Sequence, residues 1–192
     1  MTALEKLVKD ANYKHCRQVA NISKIIAARA GYSADEALII EQAALLHDVG
    51  KNHVPHEILN KKGRLTPEEY EIIKTHTEAG YGQIMDTIES LKISAAVAKE
   101  HHERGDGSGY LKMTDSFINP YAKLISAADV FDALVSRRIY KNAWDIQSVI
   151  GYLKDSNNHF DQFLVRCLID GLDDVLRLYE PKQHERTVNG EQ

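Results

Sequence analysis

Apolar residues recur at three- and four-residue intervals along nearly the whole chain, and nowhere does a two-residue alternation persist. A sequence with that single period can bury apolar surface only through helices. Leu4, Leu7, Val8, Val19, Ile22, Ile25 and Ile26 share the spacing over residues 3–30, and Gly31 ends the run. Ser33 with Glu36 makes a capping box for a helix reaching about His47, and Gly50 then breaks it. Pro55 opens a short turn through Leu59, and Lys61-Lys62-Gly63 is a loop. Thr66-Pro67-Glu68-Glu69 joins an N-cap, a first-position proline and a box-closing glutamate, so a helix starts there and reaches at least Thr75. Gly80 and Gly82 are expected to interrupt that pattern before Ile88.

Ser90 begins a further helix with His101-His102 at its C-terminal end. Gly105, Gly107 and Gly109 make residues 105–109 a loop. Asn119-Pro120 starts a helix through about Arg137, Asp145 caps another ending near Leu153, and residues 161–179 give one or two more, with Gly171 as the break. With no internal repeat, the expectation is one compact all-α domain over residues 1–180 and a polar tail over 181–192.

The 192 residues, 43% hydrophobic and 27% charged, are enough for one full hydrophobic core. A net charge of -4 suggests neither a DNA or RNA binder nor a membrane-surface protein. The charge is uneven, however: residues 137–141 read Arg-Arg-Ile-Tyr-Lys, a basic knot that can be aimed at an anion. Cys16 and Cys167 are far apart with no Cys-x-x-Cys, which reads as two reduced thiols in a cytosolic protein without a nucleophilic role. The start, MTALEKLVKD, has no apolar signal core, and no stretch approaches the roughly 20 apolar residues of a membrane span. A cytoplasmic location is expected.

The chemistry lies in histidines and aspartates. His47-Asp48, followed by Val49-Gly50-Lys51, pairs an imidazole with a carboxylate at the end of an apolar helix. His15, His76, His101-His102 and Asp129 repeat those two side chains at long separations. One histidine on a helix is most often an ordinary core or surface residue. His53, His56, His159 and His184 lie in polar, loop-like segments and are set aside on that ground. Asp48 and Asp129 differ, because each stands inside an apolar run, and a buried carboxylate is costly unless paired or metal-bound. His101 and His102 diverge by about 100° on a helix, but at a helix end before a glycine loop both can turn to one cavity; the alternative for His102 is a surface position. Lys51 can neutralise a phosphate oxygen or an aspartate. Asp132, one turn after Asp129, can orient a ligand or can lie on the helix surface.

Four segments together resemble the HD-GYP domain, a branch of the HD phosphohydrolase superfamily. They are His47-Asp48-Val49-Gly50-Lys51; Leu65-Thr66-Pro67-Glu68-Glu69-Tyr70 through His76 to Gly80; His101-His102-Glu103-Arg104-Gly105-Asp106-Gly107-Ser108-Gly109-Tyr110; and Ala128-Asp129-Val130-Phe131-Asp132. The likeness runs from about residue 12 to residue 175. It implies an all-α fold, two or three metal ions, often iron or manganese, and hydrolysis of cyclic di-GMP to linear pGpG or to GMP. By position, His15, His47, Asp48 and Asp129 would hold one metal, and Asp48 would bridge to a second held by His76, His101 and His102. Lys51 would sit beside the scissile phosphate, with Asp48 and Lys51 as the catalytic pair. Arg138 and Lys141 match the phosphate-binding pair, and Gly109 and Tyr110 the substrate loop. A water bridging two metals about 3.5–4 Å apart would then attack phosphorus in line.

The chain departs from the pattern at two places. Ala11 stands where some members carry a glutamate used in a trinuclear centre, so two metals are expected rather than three. Gly109-Tyr110-Leu111 replaces Gly-Tyr-Pro, which frees the backbone of a loop associated with substrate and protein-partner contacts. The alternatives to a cyclic di-GMP phosphodiesterase are a phosphohydrolase acting on another cyclic dinucleotide or nucleotide, and a non-catalytic nucleotide-sensing module. A homodimer is compatible with either.

Overall fold

Residues 13–136, 144–156 and 158–180 are described by the computed structural model; Ala11, Arg138, Lys141 and residues 181–192 lie outside them. In chain order the helices are α1 (Tyr13–Ala30), α2 (Ala34–Leu46), α3 (His56–Leu59), α4 (Pro67–Thr87), α5 (Lys92–Glu100), α6 (Pro120–Val135), α7 (Ile146–Asp155), α8 (Gln162–Asp170) and α9 (Leu172–Arg177). Among the described residues there is no strand, only an isolated bridge between Asp106 and Thr114. The all-α expectation holds.

The caps form as local chemistry dictates. The Ser33 hydroxyl accepts the Glu36 amide at 3.3 Å, while the Glu36 carboxylate accepts the Ser33 amide at 2.9 Å. Thr66 and Glu69 repeat the box at 3.3 and 2.7 Å. Asn119, Asp145 and Asp161 each accept an amide from the first turn of α6, α7 and α8.

Helix α1 packs against α2, α6 and α8. The main core joins Val19, Ile22 and Ile26 of α1 to Ile40, Leu124, Ile125, Phe131, Leu153 and Leu168, all fully buried. Each such side chain stabilises by about 1.5–3 kcal/mol relative to exposure. A second, smaller cluster of Leu46, Val49, Ile84, Ala95 and Ala98 ties the end of α2 and the 3₁₀ turn Val49–His53 to α4 and α5. Leu45 touches both clusters, so His47 and Asp48 emerge where the two meet.

Three boundaries differ from expectation. Gly80 and Gly82 do not interrupt α4, which runs 21 residues to Thr87. Two helical glycines cost about 1 kcal/mol each relative to alanine. At Gly80 the cost is offset by helix contact: a Cβ there would lie 3.3 Å from the Gly50 nitrogen and 3.5 Å from Ala98 Cβ. Helix α5 begins at Lys92 rather than Ser90, because Glu89–Leu91 winds first as a 3₁₀ turn. Helix α6 ends at Val135, before Arg137, with Ser136 in extended conformation.

Candidate metal centre

Five helices deliver seven side chains to one point. His15 lies in the first turn of α1, His47 caps α2 with Asp48 following, and His76 sits in the middle of α4. His101 caps α5 with His102 next, and Asp129 lies within α6. Adjacent residues face the same place because the helices end there. Asp48 has φ -104° and ψ 8°, between the helical and extended regions, where active-site residues often sit. His101 and His102 stand with ring centroids 4.1 Å apart, so the divergence expected on a continuous helix does not occur.

The side chains form two groups. His15, His47 and Asp129 offer ligand atoms within 4.8 Å of one another, and so do Asp48, His76, His101 and His102. Asp48 stands between them with one oxygen toward each. Its Oδ2 is 3.4 Å from His47 Nε2 and 3.9 Å from His15 Nε2, whereas Oδ1 is 3.6 Å from both His76 Nε2 and His101 Nε2. Asp129 Oδ1 completes the first group at 2.9 Å from His15 Nε2 and 3.9 Å from His47 Nε2.

A repeated device orients three rings. His47, His76 and His101 each place Nδ1 on the carbonyl oxygen three residues earlier: Ala44 at 2.7 Å, Ile73 at 2.6 Å and Ala98 at 3.0 Å. A carbonyl only accepts, so Nδ1 carries the proton and, in the neutral ring, Nε2 presents a lone pair to the centre. His15 uses a carboxylate instead, donating from Nδ1 to Asp132 Oδ2 at 2.6 Å. Asp132 is therefore no helix-surface residue; it is buried, and its other oxygen accepts the Tyr179 and Ser136 hydroxyls at 2.7 and 3.1 Å.

The electrostatics separate the groups. Burial alone would depress His15, but Asp129 and Asp132 outweigh it and raise the ring to about 9. Burial, reinforced by His101, brings His76 down to about 4 and holds His102 well below its usual value. Burial would push both aspartates up; Lys51 and His47 instead hold Asp48 well below the carboxylate range, and His15 does the same for Asp129. Lys51 Nζ lies 2.5 Å from Asp48 Oδ2 and remains partly exposed at the rim.

These donors fit divalent cations. His47 Nε2 and Asp48 Oδ1 are buried and have no hydrogen-bond partner. His76 Nε2 and His101 Nε2 face each other at 3.5 Å, two lone pairs that need a proton or a cation between them. A mixed imidazole and carboxylate set satisfies all of these atoms at once with divalent ions of intermediate hardness.

Above the second group lies the glycine loop. The Tyr110 ring stands 4.6 Å from His102 and 5.9 Å from Tyr70. Glu103, buried beneath the loop, accepts the Leu111 and Met113 amides at 2.7 and 2.8 Å. Gly109 is pressed against it, since a Cβ there would lie 2.5 Å from Glu103 Cα. His53 and His159 lie apart from both groups, paired with Gln83 and Asp106. Sequence reasoning did not single out Glu103, Tyr179 or the placement of Cys16, whose sulfur lies within 4.8 Å of ligand atoms of His47 and Asp48. The partners of Glu103 are near in sequence; those of Tyr179 and Cys16 are tertiary and left no local signal. Arg138 and Lys141 lie outside the described residues. No described helix is long and apolar enough to cross a membrane.

An HD domain family profile matches residues 3–164. The chain is 37% identical over 157 residues to the "Cyclic di-GMP phosphodiesterase response regulator RpfG" of Xanthomonas campestris, covering 80% of this chain and 42% of that protein. It is 34% identical over 168 residues to the "3'3'-cGAMP-specific phosphodiesterase 2" of Vibrio cholerae, covering 85% and 32%. The chain thus spans less than half the length of either relative. Its fold resembles that of an HDGYP protein from Bdellovibrio bacteriovorus, with a TM-score of 0.71 and 21% identity over 88% of this chain and 56% of that one. The chain belongs to the HD domain family, and its resemblance to the HD-GYP branch is borne out.

Proposed function

We propose that this chain is a metal-dependent phosphodiesterase that hydrolyses cyclic di-GMP to linear pGpG, to GMP or to both. One observation carries the proposal: Asp48 turns one oxygen to the His15–His47–Asp129 group and the other to the His76–His101–His102 group. In this reading His15, His47, Asp48 and Asp129 would hold one ion, and Asp48 with His76, His101 and His102 a second, iron or manganese in each case. Two such ions supply Lewis acidity to a phosphoryl oxygen and a water acidic enough to act at neutral pH.

The chain's own residues do the rest. Asp48 and Asp129 stay anionic at neutral pH, and His76 and His102 stay neutral, so their lone pairs are available. Lys51 stands at the partly exposed rim of the centre and can move from Asp48 to a phosphate oxygen, offsetting the charge that develops there. Tyr110 walls the second group and offers a ring face to a base, with Gly109 fixing the loop beneath it. Arg138 and Lys141 complete the phosphate contacts in this reading. A cytoplasmic location, protein partners at the glycine loop and a homodimer belong to the same proposal.

A second substrate has a specific observation in its favour, the identity to a relative named for 3'3'-cGAMP. Both are tested by incubating anaerobically purified protein with Mn²⁺ or Fe²⁺ and each dinucleotide, and separating the products. Hydrolysis of cyclic di-GMP that Asp48→Ala abolishes is expected. Turnover confined to 3'3'-cGAMP would replace the first substrate by the second. Tight nucleotide binding with no turnover and no bound metal would replace the enzyme by a sensing module.

A further inference from the structure

Cys16 follows His15 in the first turn of α1, is fully buried, and belongs to neither apolar cluster. Its sulfur shares a site with ligand atoms of His47 and Asp48, all within 4.8 Å. His47 Nε2, at one corner of this trio, is fully buried and has no hydrogen-bond partner. The other thiol, Cys167, lies in the main apolar cluster instead.

His47 thus belongs to two possible donor sets. With His15 and Asp129 it makes a set of nitrogen and oxygen; with Cys16 and Asp48 it makes one that includes sulfur. Thiolate selects for zinc and other thiophilic ions, which imidazole also suits, while carboxylate suits manganese. We propose that a thiophilic divalent cation at the His47 corner takes Cys16 Sγ as a ligand together with His47 Nε2 and Asp48, so that this thiol makes the centre discriminate between metals. The inference rests on the metal-binding reading above. As the sulfur–metal bond forms, the thiol proton passes to solvent. A zinc ion held this way draws His47 and Asp48 away from the donor set used by a harder ion, and zinc therefore opposes manganese.

The test is a titration of metal-free protein with Co²⁺, followed by absorption. Wild type is expected to show thiolate-to-cobalt charge transfer in the near ultraviolet in addition to the visible ligand-field bands. Cys16→Ser and Cys16→Ala lose the charge-transfer band, keep the visible bands, and bind Zn²⁺ about tenfold or more weakly, with Mn²⁺ affinity unchanged; Cys167→Ser keeps everything. Zinc-edge X-ray absorption on wild type loaded with one equivalent of Zn²⁺ decides the matter even where the Cys16 variants fail to fold, because a sulfur neighbour at about 2.3 Å is expected. Cobalt or zinc bound without any sulfur signature overturns the role of Cys16 and leaves the metal centre standing. A folded wild type that binds neither ion overturns the metal-binding reading itself.

Discussion

Gly50 presses against the peptide of Gly80: a Cβ at Gly50 would lie 2.4 Å from the Gly80 nitrogen and 1.9 Å from the His76 carbonyl oxygen. This contact clamps the turn that carries His47 and Asp48 against the helix that carries His76. Any side chain at Gly50 must push the two halves of the centre apart. Gly50→Ala is expected to destabilise by about 2–4 kcal/mol, as overpacking against rigid backbone does, and to weaken metal binding. Gly82→Ala, with open space around its Cβ, should stabilise by about 0.5–1 kcal/mol by removing a helical glycine. Urea denaturation of both variants checks the contrast, and equal effects would mean that α4 and the turn are not tightly apposed.

Asp132 holds His15 from behind while Tyr179 and Ser136 hold Asp132. A ligand ring without its partner loses both orientation and basicity. Asp132→Asn should lower metal affinity about 10–100-fold, whereas Tyr179→Phe, which removes one hydrogen bond worth about 1 kcal/mol, should lower it less. Competition against a chromophoric chelator measures both, and wild-type affinity in Asp132→Asn would show that the carboxylate does not tune His15.

The two groups should also respond differently to pH. His15 is raised to about 9, so at neutral pH metal must displace its proton; His47 is shifted upward too, with burial opposing and Asp48 and Cys16 prevailing. His76, at about 4, has no proton to lose there. Affinity at the His15 group should therefore rise about tenfold or more per pH unit between pH 6 and pH 9, one factor of ten per proton displaced. Affinity at the other group should rise less steeply, because burial keeps His76 and His102 unprotonated over that range. Metal-free protein should show the reverse trend in stability: His15 is raised above its unfolded value of 6.5, so its contribution is complete below pH 6.5 and is lost as pH rises through about 9. Metal titrations at pH 6 and 8 should give one tight site and then two, and a pH-independent stoichiometry would contradict the asymmetry.

Local chemistry wrote the helices and the ligand types plainly into the sequence. Ser33 with Glu36, and Thr66 with Glu69, announce their helices because the capping bonds span three residues. Asp48 and Asp129 stand out because carboxylates in apolar runs need a partner. Gly80 misleads, since helix propensity sees its cost and cannot see Gly50 across the interface. Two partners of Asp132, His15 and Tyr179, lie 117 and 47 residues away, so only the folded chain could decide between its two roles. Cys16 looked inert for the same reason: its neighbours arrive from the end of α2.

Glu103 holds the loop that carries Tyr110, and it does so with both oxygens as acceptors of the Leu111 and Met113 amides. Glu103→Gln keeps the shape but turns one of those acceptors into a donor facing a donor, at a cost of about 1–3 kcal/mol borne by the loop. Gly109→Ala attacks the same contact sterically. Glu103→Gln alters no residue of the two metal-ligand groups, so its metal affinity should stay as in wild type; Gly109→Ala presses on the backbone beside His102 and should lower it modestly. If Tyr110 walls the substrate, KM for the cyclic dinucleotide should rise about tenfold in both variants, because small misplacements of a positioning group are amplified in binding and rate. Limited proteolysis should cut between residues 105 and 113 faster than in wild type. A loosened loop with unchanged KM would remove Tyr110 from the substrate site while leaving the metal centre intact.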